Sequence, residues 1–215
     1  MIAALSTDIF DAVRTSLTVA AGATLFASLI GIPLGISVGI SEFPLKRVVV
    51  TAIDSLMAVP TVVVGLFVYA FISRGGPLGG WGLLFTPAAI VIGGSLLAAP
   101  IVAHYALGAA RAADPRILPT ALTLGAGRMR AAFTLASEIR RGIVAAVVAG
   151  FARVVSEVGV AMMLGGNIRG YTRTMTTAIA LETGKGEFAF GMTLGLILLA
   201  VAFAVNVGFS LLQRR

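Results

Sequence analysis

Long apolar runs constrain this sequence more than any of its motifs. The stretch from Ser16 to Ser41 contains no charged residue. As an α-helix it would extend about 39 Å, more than a hydrocarbon core of about 30 Å requires. Similar runs follow at residues 48–72, 83–107, 142–164 and 188–212. Because 58% of the 215 residues are hydrophobic and only 12% are charged, we expect an all-α integral membrane protein with five transmembrane helices, forming one domain over residues 1–215.

The distribution of lysine and arginine predicts the orientation, because these residues concentrate in short cytoplasmic loops. One set of connections carries ten of them: Lys46, Arg47, Arg111, Arg116, Arg128, Arg130, Arg140, Arg141, Arg214 and Arg215. The other set carries five: Arg14, Arg74, Arg169, Arg173 and Lys185. We therefore expect the N-terminus outside and the C-terminus in the cytoplasm.

Several classes of partner and site are disfavoured by composition. The net charge is +7, but the basic residues lie in short connections without interleaved aromatic residues, which indicates contact with membrane lipid and not with nucleic acid. The absence of cysteine excludes disulfides, thiolate metal sites and cysteine nucleophiles. No metal site is expected at His104, which has no other ligand at suitable spacing. Lys185, in "ETGKGEF", lacks the flanking residues of a phosphate-binding loop, so this chain does not bind ATP in that way.

The longest cytoplasmic connection, residues 108–141, has the pattern of two short helices. Asp114 followed by Pro115 predicts the start of the first helix, and Gly125 predicts its C-terminal end. A second helix is expected from about Arg128 toward Arg141. The first helix is amphipathic, which fits either a helix at the membrane surface or one that docks in a groove of a partner protein.

A charged pair interrupts the fourth apolar run. Arg153 and Glu157 are spaced to pair on one helix face. An arginine at the centre of a membrane helix costs about 2.5–3.5 kcal/mol on insertion scales, so it faces protein or water. Two interpretations remain: a structural pair inside the bundle, or a part of a transport pathway or gate together with Gly159. Asp54 lies close to Arg47, where a hydrated position near the cytoplasmic interface is expected.

Glycine and proline mark the first two runs. Gly31, Gly35 and Gly39 recur at every fourth position, a spacing that lets helices approach closely within one subunit or a dimer. Pro33 and Pro60 indicate bending. The sequence shows no obvious pair of broken helices and no internal repeat.

Two segments resemble the permeases of ATP-binding-cassette (ABC) importers. Ala121, Gly125 and Leu135 agree with the signature of their cytoplasmic coupling loop. The segment "ARVVSEVGVAMMLGGNIRGYTRTMTTAIALET" resembles the oxyanion permeases more closely, and its matching residues are Arg153, Glu157, Gly159, Gly166, Asn167, Ile168, Gly170, Thr172, Arg173, Thr174, Ala178 and Ile179. The continuation "ALETGKGEF" is similar to the tungstate-uptake branch.

This resemblance implies a permease subunit of the inner membrane that works by alternating access. It implies a homodimer, two cytoplasmic ATPase subunits that bind ATP and magnesium, and an external solute-binding protein; no cofactor and no catalytic residue are expected in this chain. The ATPase contacts would be Pro115, Arg116, Ile117, Leu118, Ala121, Leu122, Leu124, Gly125 and Ala126. The contacts for the binding protein would be Asn167, Arg169, Tyr171 and Arg173.

The expected substrate is tungstate, with molybdate or sulfate as alternatives because all three are tetrahedral dianions. A proton- or ion-coupled secondary transporter is a second alternative, in which Asp54, Arg153 and Glu157 would form a relay. A membrane scaffold without transport activity is a third, although it gives no account of the pattern between residues 153 and 179.

Overall fold

The computed structural model describes the backbone of residues 2–214 and the side chains of residues 7–209. This part of the chain forms ten α-helices and one 3₁₀ turn at Gly79–Trp81, with no strand. The helices are α1 Ile2–Ile40, α2 Lys46–Met57, α3 Thr61–Ile72, α4 Pro87–Ala112, α5 Ile117–Thr123, α6 Arg128–Glu138, α7 Arg140–Val155, α8 Gly159–Gly165, α9 Met175–Gly184 and α10 Phe188–Arg214. The all-α expectation is confirmed.

Helices α1 and α4 run parallel and form the centre of the bundle. Gly31 lies against Ala99 and Gly39 against Ala110, so both helices advance in the same direction. A Cβ atom on Gly31 would lie 2.8 Å from the carbonyl oxygen of Ala99, too close for any other residue. The glycine spacing therefore serves packing within one subunit. Helix α7 packs antiparallel on α4, where Gly150 contacts Val102.

Two pairs of helices are bent, contrary to the expectation of unbroken spans. Helices α2 and α3 meet at 96°, and α7 and α8 meet at 62°. Within the described residues, three helices are long and apolar enough to cross a membrane alone, namely α1, α4 and α10. If each bent pair crosses once, the structure has five passes. Pro60 lies at the first break, directly before the first residue of α3, where its missing N–H costs no helical hydrogen bond. Pro33 remains inside α1.

Some span boundaries differ from those expected. Helix α1 begins well before residue 16, because charges at a helix end do not stop the helix. The third span begins at Pro87 and not at residue 83, since Thr86 caps it by accepting a hydrogen bond from the backbone N–H of Ala89. Helix α10 begins at Phe188, as expected. Only 11% of its most apolar 18-residue stretch is buried inside the structure. It therefore lies on the outside of the bundle.

The 108–141 connection contains the two expected helices. Helix α5 begins at Ile117, slightly after the predicted start, and the carboxylate of Asp114 accepts a hydrogen bond from the backbone N–H of Arg116 (2.9 Å). Gly125 adopts φ +85°, and the N–H of Ala126 donates to the carbonyl of Ala121, which ends α5 as predicted. Helix α6 begins at Arg128 but ends at Glu138.

Candidate functional site

The Arg153–Glu157 pair forms, but it bridges the break between α7 and α8 and does not lie on one continuous helix. Arg153 is in the last turn of α7, and its guanidinium lies 2.7 Å from the carboxylate of Glu157. Glu157 is only 7% exposed. Its other carboxylate oxygen accepts a hydrogen bond from the backbone N–H of Val160 (3.2 Å). Glu157 therefore neutralises Arg153 and caps the start of α8.

Gly159, the third predicted gate residue, is the first residue of α8. A Cβ atom there would lie 2.9 Å from the hydroxyl of Thr61, at the start of α3. The second break therefore lies next to the first one. Helix α3 packs on α8 over a shared apolar cluster that includes Val68 and Leu164, so the two bent pairs are in direct contact.

A layer of buried hydroxyl groups holds the segment that follows α8. The hydroxyl of Thr172 donates to the carbonyl of Gly165, and Thr174 and Thr177 form a reciprocal cap at the start of α9. The backbone N–H of Met175 donates to the hydroxyl of Ser16 on α1 (2.7 Å). Sequence reasoning missed this layer, although the run "TRTMTT" was a signal for it. It ties α1, α8 and α9 together.

The four residues predicted to contact a binding protein have different environments. Arg169 forms an ion pair with Asp8 of α1 (Nε to Oδ1 2.6 Å), and Asp8 raises the pKa of Arg169. Arg173 donates to the side-chain oxygen of Asn167 (3.2 Å), which has a positive φ of 51°. Tyr171 is exposed. Arg169 and Arg173 line a cavity of about 590 Å³ that also contains Asp8, Glu182 and Lys185.

The predicted ATPase contacts lie on two sides of α5. Ile117, Leu118 and Ala121 are turned toward the bundle, where the first two pack against a cluster of Ile36, Ala110, Leu135 and Ile139. Leu122 and Leu124 are exposed, Leu124 by 83%. Pro115, Arg116 and Gly125 are also exposed, and Ala126 is half-buried. The guanidinium of Arg116 holds the pKa of Asp114 below its usual value, so this exposed ion pair persists at neutral pH.

Helix α6 adds two exposed apolar residues that sequence reasoning missed. Met129 and Phe133 are one turn apart on the face away from the buried Ala131 and Leu135. Their spacing was the available signal. The exposed apolar residues of α5 and α6 are thus Leu122, Leu124, Met129 and Phe133.

A contact between a carboxylate and a histidine joins α2 to α4 and was not predicted. His104 Nδ1 lies 2.7 Å from a carboxylate oxygen of Asp54, although the residues are 50 positions apart in sequence. Their side chains are 45% and 48% exposed. Sequence reasoning had considered both residues, but only separately. This pair is far more exposed than Arg153 and Glu157.

Comparison with known proteins identifies the family. A model described as "Binding-protein-dependent transport system inner membrane component" matches residues 31–215. The chain belongs to this ABC permease family. It is therefore the membrane-spanning subunit of such a transporter, and the predicted resemblance is confirmed.

Individual relatives agree with this result. The chain is 39% identical over 205 residues to the tungstate uptake system permease protein TupB of Peptoclostridium acidaminophilum, covering 95% of this chain and 90% of that one. It is 30% identical to the molybdenum transport system permease protein ModB of Azotobacter vinelandii, covering 83% and 82%. Its fold is similar to that in a structure of the MetNI methionine ABC transporter, with a TM-score of 0.74 at 16% identity and coverage of 98% and 94%.

Proposed function

We propose that this chain is the permease of an ATP-driven importer for a tetrahedral oxyanion, with tungstate as the preferred substrate. The observation that carries the substrate is the 39% identity to a tungstate permease over 95% of the chain. The lower identity to a molybdenum permease keeps molybdate as the alternative. Sulfate has the same shape and charge and is tested beside it.

Two copies of the chain enclose the pathway in this proposal, because five passes are few for one subunit and two-fold symmetry is the commonest arrangement. The ATPase subunits are separate chains that bind ATP and magnesium, and this chain contributes no catalytic residue and no cofactor. They dock on the exposed apolar residues of α5 and α6. The inner side of α5 packs against Ile36 of α1 and Ala110 of α4, which supports direct transmission of ATPase movement to the two central helices.

The contacts within the subunit narrow the set of residues proposed to contact an external binding protein. Arg169 is engaged by Asp8, so Tyr171 and the Asn167–Arg173 pair are the better candidates for contact with an external binding protein. Asp8 is near the N-terminus of α1, and its pairing with Arg169 requires both to lie on the same side of the membrane. The arginine and lysine distribution favours the outside.

The decisive experiment measures tungsten accumulation in cells that express this chain with its candidate binding protein and ATPase. We expect uptake that requires this chain, stops with a hydrolysis-deficient ATPase and resists excess molybdate or sulfate. Uptake that persists with the inactive ATPase would exclude the ABC mechanism. Strong suppression by molybdate or sulfate would retain the mechanism but change the substrate.

One observation favours the secondary-transporter alternative. The two bent helix pairs resemble the discontinuous helices that form ion sites in such transporters. If that alternative were correct, a protonophore would abolish uptake while the inactive ATPase would be tolerated. Family membership weighs against it.

A further inference from the structure

Helix α2 presents a polar face that nothing in the single subunit covers. Ile53 is buried and packs with Ala103 and Leu107 of α4. The opposite side of α2 exposes Arg47, Thr51, Asp54 and Ser55. This face continues onto α4 through His104, which pairs with Asp54. We call these residues the α2 polar face: Arg47, Thr51, Asp54, Ser55 and His104.

Most of this face lies well inside its two helices and not at their ends. Asp54 is about 12 Å along α2 from Lys46, and His104 is about 12 Å along α4 from its end at Ala112. If helices α2 and α3 cross the membrane as one bent pass, which their combined length and hydropathy allow, the contact of Ile53 with α4 places Asp54 and His104 at membrane depth. Charged groups at such depth face protein or water because lipid does not solvate them.

The rest of the surface at this depth is different. Helix α10 exposes apolar residues such as Leu199, Phe203 and Val207, as expected for contact with lipid. Glu157 is buried, and it neutralises Arg153, whose side chain is 30% exposed. The α2 polar face combines the Asp54–His104 contact, in which both side chains are nearly half exposed, with the exposed hydroxyl groups of Thr51 and Ser55.

We infer that the α2 polar face lines the cytoplasmic half of a water-filled anion pathway, opposite a second copy of the chain. This inference deepens the proposed function and rests on it. The hydroxyl groups of Thr51 and Ser55 donate weak hydrogen bonds to a passing oxyanion. His104 is a positioning residue that donates a hydrogen bond to the carboxylate of Asp54 and so offsets part of its negative charge.

The balance of charge is the main requirement on such a surface. A lone carboxylate in a pathway repels a dianion, and the repulsion is stronger near protein than in bulk water because the effective dielectric constant is lower. His104 Nδ1 lies 2.7 Å from this carboxylate, and the hydrogen bond that it donates offsets the repulsion of the anion by Asp54. The pathway then neither repels the anion nor binds it tightly enough to delay its release.

The first test uses cysteine labelling, for which the natural chain is suited because it contains no cysteine. Thr51→Cys and Ser55→Cys are compared with Val207→Cys, an exposed apolar position about 10 Å along α10 from its end at Arg214. A membrane-impermeant, negatively charged thiosulfonate is applied to the cytoplasmic side of inverted vesicles that contain the assembled transporter. We expect the Thr51→Cys and Ser55→Cys variants to react at least about tenfold faster than the Val207→Cys control.

Labelling of the Ser55→Cys variant is also expected to stop oxyanion uptake, which labelling of the control does not. Slow reaction at all three positions would show a lipid-facing surface and overturn the inference. Fast reaction without loss of uptake would place the face at the membrane surface and not in a pathway, which also overturns it. Reaction from the external side alone would contradict its cytoplasmic location.

The second test separates charge balance from packing. His104→Gln leaves Asp54 unbalanced, and we expect uptake to fall at least about tenfold at equal membrane content of the protein. Asp54→Asn/His104→Gln removes the carboxylate together with its histidine partner and is expected to recover uptake to within about threefold of the natural chain. A purely structural pair would not be rescued in this way, so failure of the double variant to recover would refute the role of His104.

The two levels of proposal fail in different ways. If the natural chain supports no ATP-dependent oxyanion uptake, the proposed function is wrong, whatever the cysteine reactivity. If the natural chain transports but positions 51 and 55 do not react, the importer remains and only the assignment of the α2 polar face is wrong.

Discussion

At the scale of single residues, Glu157 has two simultaneous roles that explain its place at the break between two apolar helices. It neutralises Arg153 and accepts a hydrogen bond from the N–H of Val160. Arg153→Met should therefore destabilise the solubilised protein more than Arg153→Met/Glu157→Gln does, because the single change leaves a buried carboxylate unpaired. We expect a coupling of about 1–3 kcal/mol in the free energy of unfolding, measured by denaturant titration in detergent with the fluorescence of the single tryptophan. The exposed Asp114–Arg116 pair is the control and should show no measurable coupling; independent effects at 153 and 157 would contradict the pairing.

At the scale of helices, the contact between α1 and α4 depends on the absence of side chains. A Cβ atom on Gly35 would collide with the carbonyl oxygen of Ala103, so Gly35→Ala should separate the two helices and destabilise the protein by about 1–3 kcal/mol. Gly108→Ala in α4 is a matched control, because no atom lies within 4 Å of the added methyl group, and it should be neutral or stabilising by up to about 1 kcal/mol. Thermal unfolding in detergent distinguishes them, and equal effects would show that the close packing is unimportant.

The sequence predicts those features of the helices that depend on neighbouring residues, but not those that depend on contacts between distant helices. The charge-free run in α1 and the glycine that ends α5 act through neighbouring residues, so local patterns predicted them. The Asp54–His104 pair joins positions 50 residues apart and depends on how α2 crosses α4, which no local pattern encodes. The break between α7 and α8 was missed because it contains no proline, the residue that usually marks such a break. Instead, Glu157 accepts a hydrogen bond from the N–H of Val160 at the start of α8. The exposed residues of α6 required knowledge of which face packs on the bundle.

At the scale of the whole molecule, the proposed orientation makes the last prediction. The Asp8–Arg169 pair joins the beginning of α1 to the loop before α9, so these segments share one side of the membrane, while α5 and α6 follow the opposite end of α4. In the cysteine-free chain, Tyr171→Cys should react with an impermeant thiol reagent only from outside intact cells. Leu124→Cys, the most exposed apolar position of the 108–141 connection, should react only in inverted vesicles. Labelling of both variants from the same side would contradict the fold, because an odd number of passes separates them. Labelling from opposite sides in the reverse order would retain the fold but place the ATPase contacts outside, where no ATP is available, and would therefore exclude the proposed importer.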